Sequence, residues 1–295
     1  MAGFDYGFVG LGAMGSGMAG AMADTGLRIA GVDPDPGARS RAESWGVTTG
    51  DDLAWLLEDC HSVVMSLPSE SALDTVYREI EVTPSKGDQL VVETSTVSPA
   101  RARDLAAISR TSGRRHIEAG LIGLPQDARA GALYHFVGGQ DRDVAAAAEF
   151  LSRTGRAYAH LGDVGSAAVA KVLNNAIGNA TMLAYSEAIA VGEILGMDPA
   201  VFVTAVKVAD GSGMSKVFAR HAHWATGGSK RQPPTPINRK DMAAYAAMAR
   251  EAGSLSPVLG AASRVLAEMS DTDGLVQTHA DQVRDSARTT ERSWN

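Results

Sequence analysis

The residues Gly10-Leu11-Gly12-Ala13-Met14-Gly15 follow directly on the β-rich run Tyr6-Val9 and open an Ala/Met-rich helical stretch. A G-x-G-x-x-G turn in that setting restricts the N-terminal part of the chain to a strand-turn-helix unit. Gly10 suits the tight turn, Gly12 lets the backbone approach a pyrophosphate, and Gly15 lets the helix pack closely on the strand. The helix N-terminus then offers its N–H groups to an anion. Asp33 ends the next strand, 18 residues after Gly15. A carboxylate there can accept hydrogen bonds from ribose hydroxyls and repels a 2′-phosphate, which selects NAD over NADP. The same residues also fit a plain packing turn, with Asp33 capping the turn before Pro34. The spacing of strand, helix and acid favours the dinucleotide.

Around this unit the chain alternates strand and helix to about residue 160, the pattern of a parallel sheet covered on both faces. Strands are expected at Tyr6-Val9, Arg28-Val32, Ser62-Ser66, Leu90-Glu93, His116-Ala119, Tyr134-Val137 and Ala157-His160. Helices are expected at Ala13-Asp24, Pro36-Trp45, Leu53-Glu58, Ser69-Arg78, Pro99-Thr111 and Val144-Arg153. After Gly162 the alternation stops, and Val164 to Asp198 contains no proline. This segment reads as one long helix joining the two domains, apolar on most of its circumference and therefore buried between domains or subunits. Further helices are expected around Val201-Ala209, Ser215-Ala222, Asn238-Ala252 and Pro257-Met269, with Pro233-Pro234-Thr235-Pro236 as a rigid interruption, and the end beyond Arg284 is expected to fray. The expected architecture is an α/β Rossmann-type domain over 1–162 and an all-helical domain over 163–295.

With 295 residues, two domains are the default. A net charge of -7 and only short basic clusters argue against nucleic acid as a partner. The single cysteine, Cys60, gives no disulfide and points to a reducing cytoplasm. The apolar stretch Gly7-Ala23 lacks a basic leader, and Asn179, Glu187 and Glu193 interrupt Ala176-Leu195, so neither a signal peptide nor a membrane span is expected. His221 and His223 would point apart on a helix and are assigned no metal; none is expected elsewhere.

Lys171, Asn174, Asn175 and Gly178 share one face of the long helix. An amine in apolar surroundings has its pKa lowered from about 10.4 toward neutrality, as a general acid/base requires. Alternatively it snorkels to solvent while the asparagines cap neighbouring elements. The residues alone leave both open.

Phe8 to Met18, Glu93-Thr94-Ser95-Thr96-Val97-Ser98-Pro99, Gly162-Asp163-Val164-Gly165 leading to Lys171-Val172-Leu173-Asn174-Asn175, and Arg239-Lys240-Asp241-Met242 stand in one order over about 240 residues. Together they resemble the β-hydroxyacid (3-hydroxyisobutyrate) dehydrogenase family, whose second domain is of the 6-phosphogluconate dehydrogenase type. The resemblance implies Lys171 as proton donor and acceptor, held by Asn175. It places Leu67, Pro68, Thr96 and Lys240 at the cofactor beside Gly10, Leu11, Gly12, Ala13, Met14, Gly15 and Asp33. Ser95, Ile122, Gly123 and Asn174 fall to the substrate, and the subunits associate as a homodimer or homotetramer. One segment departs from the family. Glu118-Ala119-Gly120-Leu121-Ile122-Gly123-Leu124-Pro125 stands where a Ser-Gly-Gly turn grips a carboxylate, and is similar to the apolar loop of imine reductases. Ile122 is then either plain packing, with Arg129 or Ser212 holding an anion, or the mark of a less carboxylate-like substrate. The readings that follow are an NAD-dependent dehydrogenase of a small β-hydroxy acid or related alcohol, an imine reductase, and a non-catalytic NAD-binding regulator.

Overall fold

The computed structural model describes residues 3–83, 85, 87–209 and 235–269, together with 283 and 285. The chain divides into two compact units, Met1–Lys171 and Val172–Asn295, so the division falls inside a helix.

The first unit is built on one eight-stranded sheet of order β3-β2-β1-β4-β5-β6-β7-β8. The strands are β1 (Phe4–Val9), β2 (Ile29–Val32), β3 (Thr48–Gly50), β4 (Cys60–Met65), β5 (Leu90–Glu93), β6 (Arg115–Ile122), β7 (Leu133–Gly138) and β8 (Gly155–His160). Between them run α1 (Ala13–Ala23), α2 (Pro36–Glu43), α3 (Leu53–Asp59), α4 (Glu70–Val82), α5 (Pro99–Thr111), α6 (Pro125–Arg129), α7 (Asp141–Ala146) and α8 (Ala148–Thr154). Successive side chains of a strand face opposite ways, so Phe8, Val64 and Val92 enter one core with Met18 and Phe150, while Val9, Val63 and Val91 enter the other with Leu56, Tyr77 and Leu105. Side chains set the helix starts. Asp35 caps α2, Asp52 α3, Ser69 α4 and Ser98 α5, the first and last with proline at the opening position.

The sheet departs from the all-parallel expectation at one pair. β6 and β7 are antiparallel, with Ile122 opposite Tyr134 and Glu118 opposite Gly138. The connection, residues 123–132, holds only the five-residue α6, and a parallel crossover needs a dozen or more residues. β3 was not expected, because three residues carry no periodicity. The helix expected at Val144-Arg153 is two short helices that meet at Ala147.

The second unit is helical: the greater part of α9 (Ser166–Ile194), then α10 (Pro199–Ala209), α11 (Thr235–Glu251) and α12 (Pro257–Glu268). Its core gathers Val172, Ala176, Met182, Leu183, Ile189, Val203, Met242, Tyr245 and Leu266. Burial of α9 on most of its circumference is not met within one chain, since Ile177 is 60% and Val191 47% exposed. Pro236 does not interrupt a helix but lies in the first turn of α11, where its missing N–H costs nothing. The helix expected at Ser215-Ala222, together with Ser212, His221 and His223, lies outside the described residues.

Candidate functional site

The chain winds from β1 outward to β3 and then restarts at β4 on the other side of β1, so the carboxyl ends of β1 and β4 part at a switch point. The edge is knitted across this point: Gly10 N donates to Val32 O, Ser66 N to Val9 O, and Thr94 N to Met65 O, all within 3.0 Å. The glycine turn, Leu67 and Ser95 therefore emerge on one edge. Gly10 has φ +92, and a Cβ on Gly15 would lie 2.0 Å from Gly10 O. A Cβ on Gly12 would meet nothing within 4 Å, and no side chain caps α1. The turn thus faces open space with the first-turn amides of α1, the chemistry that suits a pyrophosphate.

Asp33 sits beside it. One carboxylate oxygen accepts from Leu11 N at 2.7 Å and the other from Asp35 N at 2.8 Å, which leaves each a second lone pair for a ribose hydroxyl. Two arginines not foreseen from sequence brace the turn from α2. Arg41 Nη2 donates to Leu11 O (2.8 Å) and Arg39 Nη1 to Asp33 O (2.7 Å). Arg41 reaches a carbonyl 30 residues away in sequence, which no local pattern marks.

Farther along the edge, Ser95, Thr96 and Lys171 line one small cavity with Glu93, Val97, Glu118, Gly120 and Ala168. Lys171 Nζ donates to Leu121 O on β6 at 2.5 Å. Ser95 Oγ accepts from Leu67 N at 2.9 Å, which binds two residues assigned to different ligands into one bend. Pro68, Thr96, Gly123 and Asn174 are exposed, and Ile122 is half-buried at the end of β6. The substrate segment is therefore strand as far as Ile122, and the turn expected there begins only at Gly123.

Sequence reasoning also missed the two buried glutamates, which stand side by side in the β5–β6 register. Glu93 accepts from Ser95 N (2.7 Å) and from the Tyr77 hydroxyl (2.9 Å). Burial outweighs these donors and raises its pKa from 4.5 to about 7. Between those pH values the folded protein keeps the proton that the unfolded chain releases, so stability falls as pH rises through the window. Gln at this position imitates the protonated acid. Glu93→Gln is expected to gain on the wild type as pH rises from 5 to 8, by up to about 3 kcal/mol in unfolding free energy. A difference independent of pH in chemical denaturation would contradict this.

In the helical unit, Asn175 Nδ2 donates to Asp241 Oδ2 at 3.1 Å, and Asn238 Nδ2 to Asn179 Oδ1 at 2.6 Å. The asparagine and Lys240-Asp241 motifs, far apart in sequence, are thereby neighbours. Lys240 itself is exposed. Among the described residues, no group of three His, Cys, Asp or Glu could hold a metal, and no helix is long and apolar enough to cross a membrane.

Residues 5–162 match the NAD binding domain of 6-phosphogluconate dehydrogenase, and residues 165–285 match the family described as NAD-binding of NADP-dependent 3-hydroxyisobutyrate dehydrogenase. A 3-hydroxyisobutyrate dehydrogenase of Pseudomonas aeruginosa is 32% identical over 70% of this chain and 70% of its own. The chain belongs to the 3-hydroxyisobutyrate dehydrogenase family. A probable mitochondrial member from Dictyostelium discoideum is also 32% identical, over 65% of this chain and 61% of its own length. Membership makes the protein an NAD-binding oxidoreductase of the CH–OH class. The fold is shared with a solved 3-hydroxyisobutyrate dehydrogenase of Mycobacterium tuberculosis (TM-score 0.82, 23% identity, 95% of this chain and 99% of that one). It is shared less closely with a Streptomyces aurantiacus imine reductase (TM-score 0.65, 19% identity, 94% and 99%).

Leu124 N donates to Asp127 Oδ2 at 2.7 Å, so the backbone just beyond Ile122 is satisfied internally. Arg129 does not stand ready for an anion. It pairs with Asp24 and lies over the Trp45 ring, 5.1 Å from its centroid.

Proposed function

We propose that the protein transfers a hydride between NAD and a small β-hydroxy acid or related alcohol or aldehyde, with Lys171 as the general acid/base. The observation that carries this reading is the Lys171 amine at Leu121 O, in a cavity that it lines with Ser95 and Thr96.

Gly10, Leu11, Gly12, Ala13, Met14, Gly15, Asp33, Leu67, Pro68, Thr96 and Lys240 would hold the dinucleotide, and the open face at Gly12 with the uncapped helix fits it. Bound there, the nicotinamide supplies the hydride acceptor or donor. Lys171 takes the proton from the substrate oxygen, or returns it in reduction. Asn175, one turn farther on the same helix, orients the amine. Ser95, Ile122, Gly123 and Asn174 shape the substrate position, and Ile122, which has no polar atom on its side chain, favours a substrate less dependent on a carboxylate grip. The functional boundary falls at 162/163. The subunits associate as a homodimer or homotetramer, which the exposed Ile177 and Val191 support, and they work in the cytoplasm.

The test is turnover by the purified protein on hydroxy acids, alcohols, aldehydes and cyclic imines with each nicotinamide cofactor. The expected result is hydride transfer with hydroxy acids or alcohols, and kcat/KM at least about tenfold higher with NAD than with NADP, because Asp33 repels a 2′-phosphate. Turnover confined to cyclic imines would establish the imine reductase reading instead. Tight NADH binding with no hydride transfer on any substrate would point to a regulator.

A further inference from the structure

The opening of α9 is held to β6 at two points, of which the Lys171 bond is only one. The other is Glu118, 4% exposed. Its Oε1 accepts from Gly165 N (2.6 Å) and Ala167 N (2.8 Å), and its Oε2 from Ala168 N (3.2 Å). These amides open a helix, lack intrahelical acceptors and carry partial positive charge, which a carboxylate answers better than any neutral group. The contacts span 47 to 50 residues of sequence, so they fix the helix to the sheet rather than to its own loop. Three residues along the same strand, Leu121 O receives Lys171 Nζ.

The opposite strand keeps space for this carboxylate. Gly138 pairs with Glu118 across the β6–β7 ladder, and a Cβ on it would lie 2.2 Å from Glu118 Oε1 and 2.9 Å from Ser166 Oγ. The glycine is required by this volume and not by its backbone, which has no positive φ. Glu118 also borders the cavity that holds Lys171.

We propose that Glu118 is a positioning residue for Lys171. The carboxylate sets the rotation and height of the first turns of α9, and through them the place of the amine over the cavity. This rests on the reading of Lys171 as the acid/base. It assigns Glu118 no contact with substrate or cofactor.

The test combines amide hydrogen exchange at residues 165–168 with kinetics for Glu118→Ala, Glu118→Gln, Gly138→Ala and, in parallel, Lys171→Met. Glu118→Ala is expected to accelerate exchange at these amides by about tenfold or more, as expected for lost hydrogen bonds. Its kcat should fall by about 10²-fold, the cost of a small misplacement, with NADH affinity within about twofold of wild type. Glu118→Gln keeps an oxygen for two of the amides and is expected to recover most of the loss. Gly138→Ala, which displaces the carboxylate without removing it, should reproduce the Ala pattern. Should Glu118→Ala fail to fold, the Gln and Gly138 variants carry the same comparison. Faster exchange with undiminished kcat, or unchanged exchange, overturns the proposal. Near-normal turnover in Lys171→Met defeats the acid/base reading, and the positioning role with it, while the exchange data still report whether the strut exists.

Discussion

Lys171→Met is expected to lower kcat by about 10³-fold or more while NADH still binds with near wild-type affinity. General acid/base groups supply roughly 10² to 10⁴ in rate, and the reaction cannot proceed by hydride movement alone, because a proton must leave or reach the substrate oxygen in the same turnover. Met keeps the length and apolar stem of the side chain but can neither carry that proton nor donate to Leu121 O. Losing the donor leaves one strand carbonyl short of a partner, worth about 1 kcal/mol of stability, so the variant should remain folded and the kinetic loss should stand apart from any structural one. Steady-state rates together with NADH fluorescence titration check both halves. Turnover within tenfold of wild type would remove Lys171 from the chemistry.

A second large effect is expected at the glycine turn, where two neighbouring positions should fail in different ways. Gly12→Val places its side chain where nothing lies within 4 Å, on a backbone of negative φ (-59). The fold should be kept, with Tm close to wild type, while NADH affinity falls by about 10²-fold or more because the approach of a pyrophosphate to the α1 amides is blocked. Gly15→Ala meets Gly10 O at 2.0 Å, a backbone atom that cannot swing aside. It should lose about 1 to 3 kcal/mol of stability through overpacking, even without cofactor. Calorimetry and NADH titration of the two proteins separate the effects. Undiminished binding in a folded Gly12→Val would mean that the dinucleotide is not held at this turn.

What was legible in the sequence was what depends on near neighbours. The glycine turn, the acid at the end of β2, the helices that open at Pro36, Leu53 and Pro99, and the switch to helix after Gly162 all express themselves over a few residues or a short period. The family resemblance drew on the same local motifs, and the comparisons bear it out. Features set by distant partners were not legible. The direction of β7 follows from the length of a connection, β3 is too short to be periodic, and the extent of β6 to Ile122 is fixed by its pairing with Tyr134. The buried partners of Glu93 and Glu118 were hidden for the same reason. A buried glutamate in a strand looks like any other until the register sets it beside its neighbour and the fold brings residues 165–168 to it. Arg39 and Arg41 were not singled out, because only the folded chain sets them against the backbone of Asp33 and of the glycine turn.

An amine at position 171 that exchanges a proton with the substrate can be replaced by one from solution, so chemical rescue is the decisive measurement. Lys171→Ala is assayed at saturating NADH and substrate with added small primary amines of graded pKa. The expected rate is very low without amine, rises with the concentration of amine, and varies with amine pKa in Brønsted fashion. A Lys171→Ala protein that turns over within tenfold of wild type and is indifferent to added amine would contradict it.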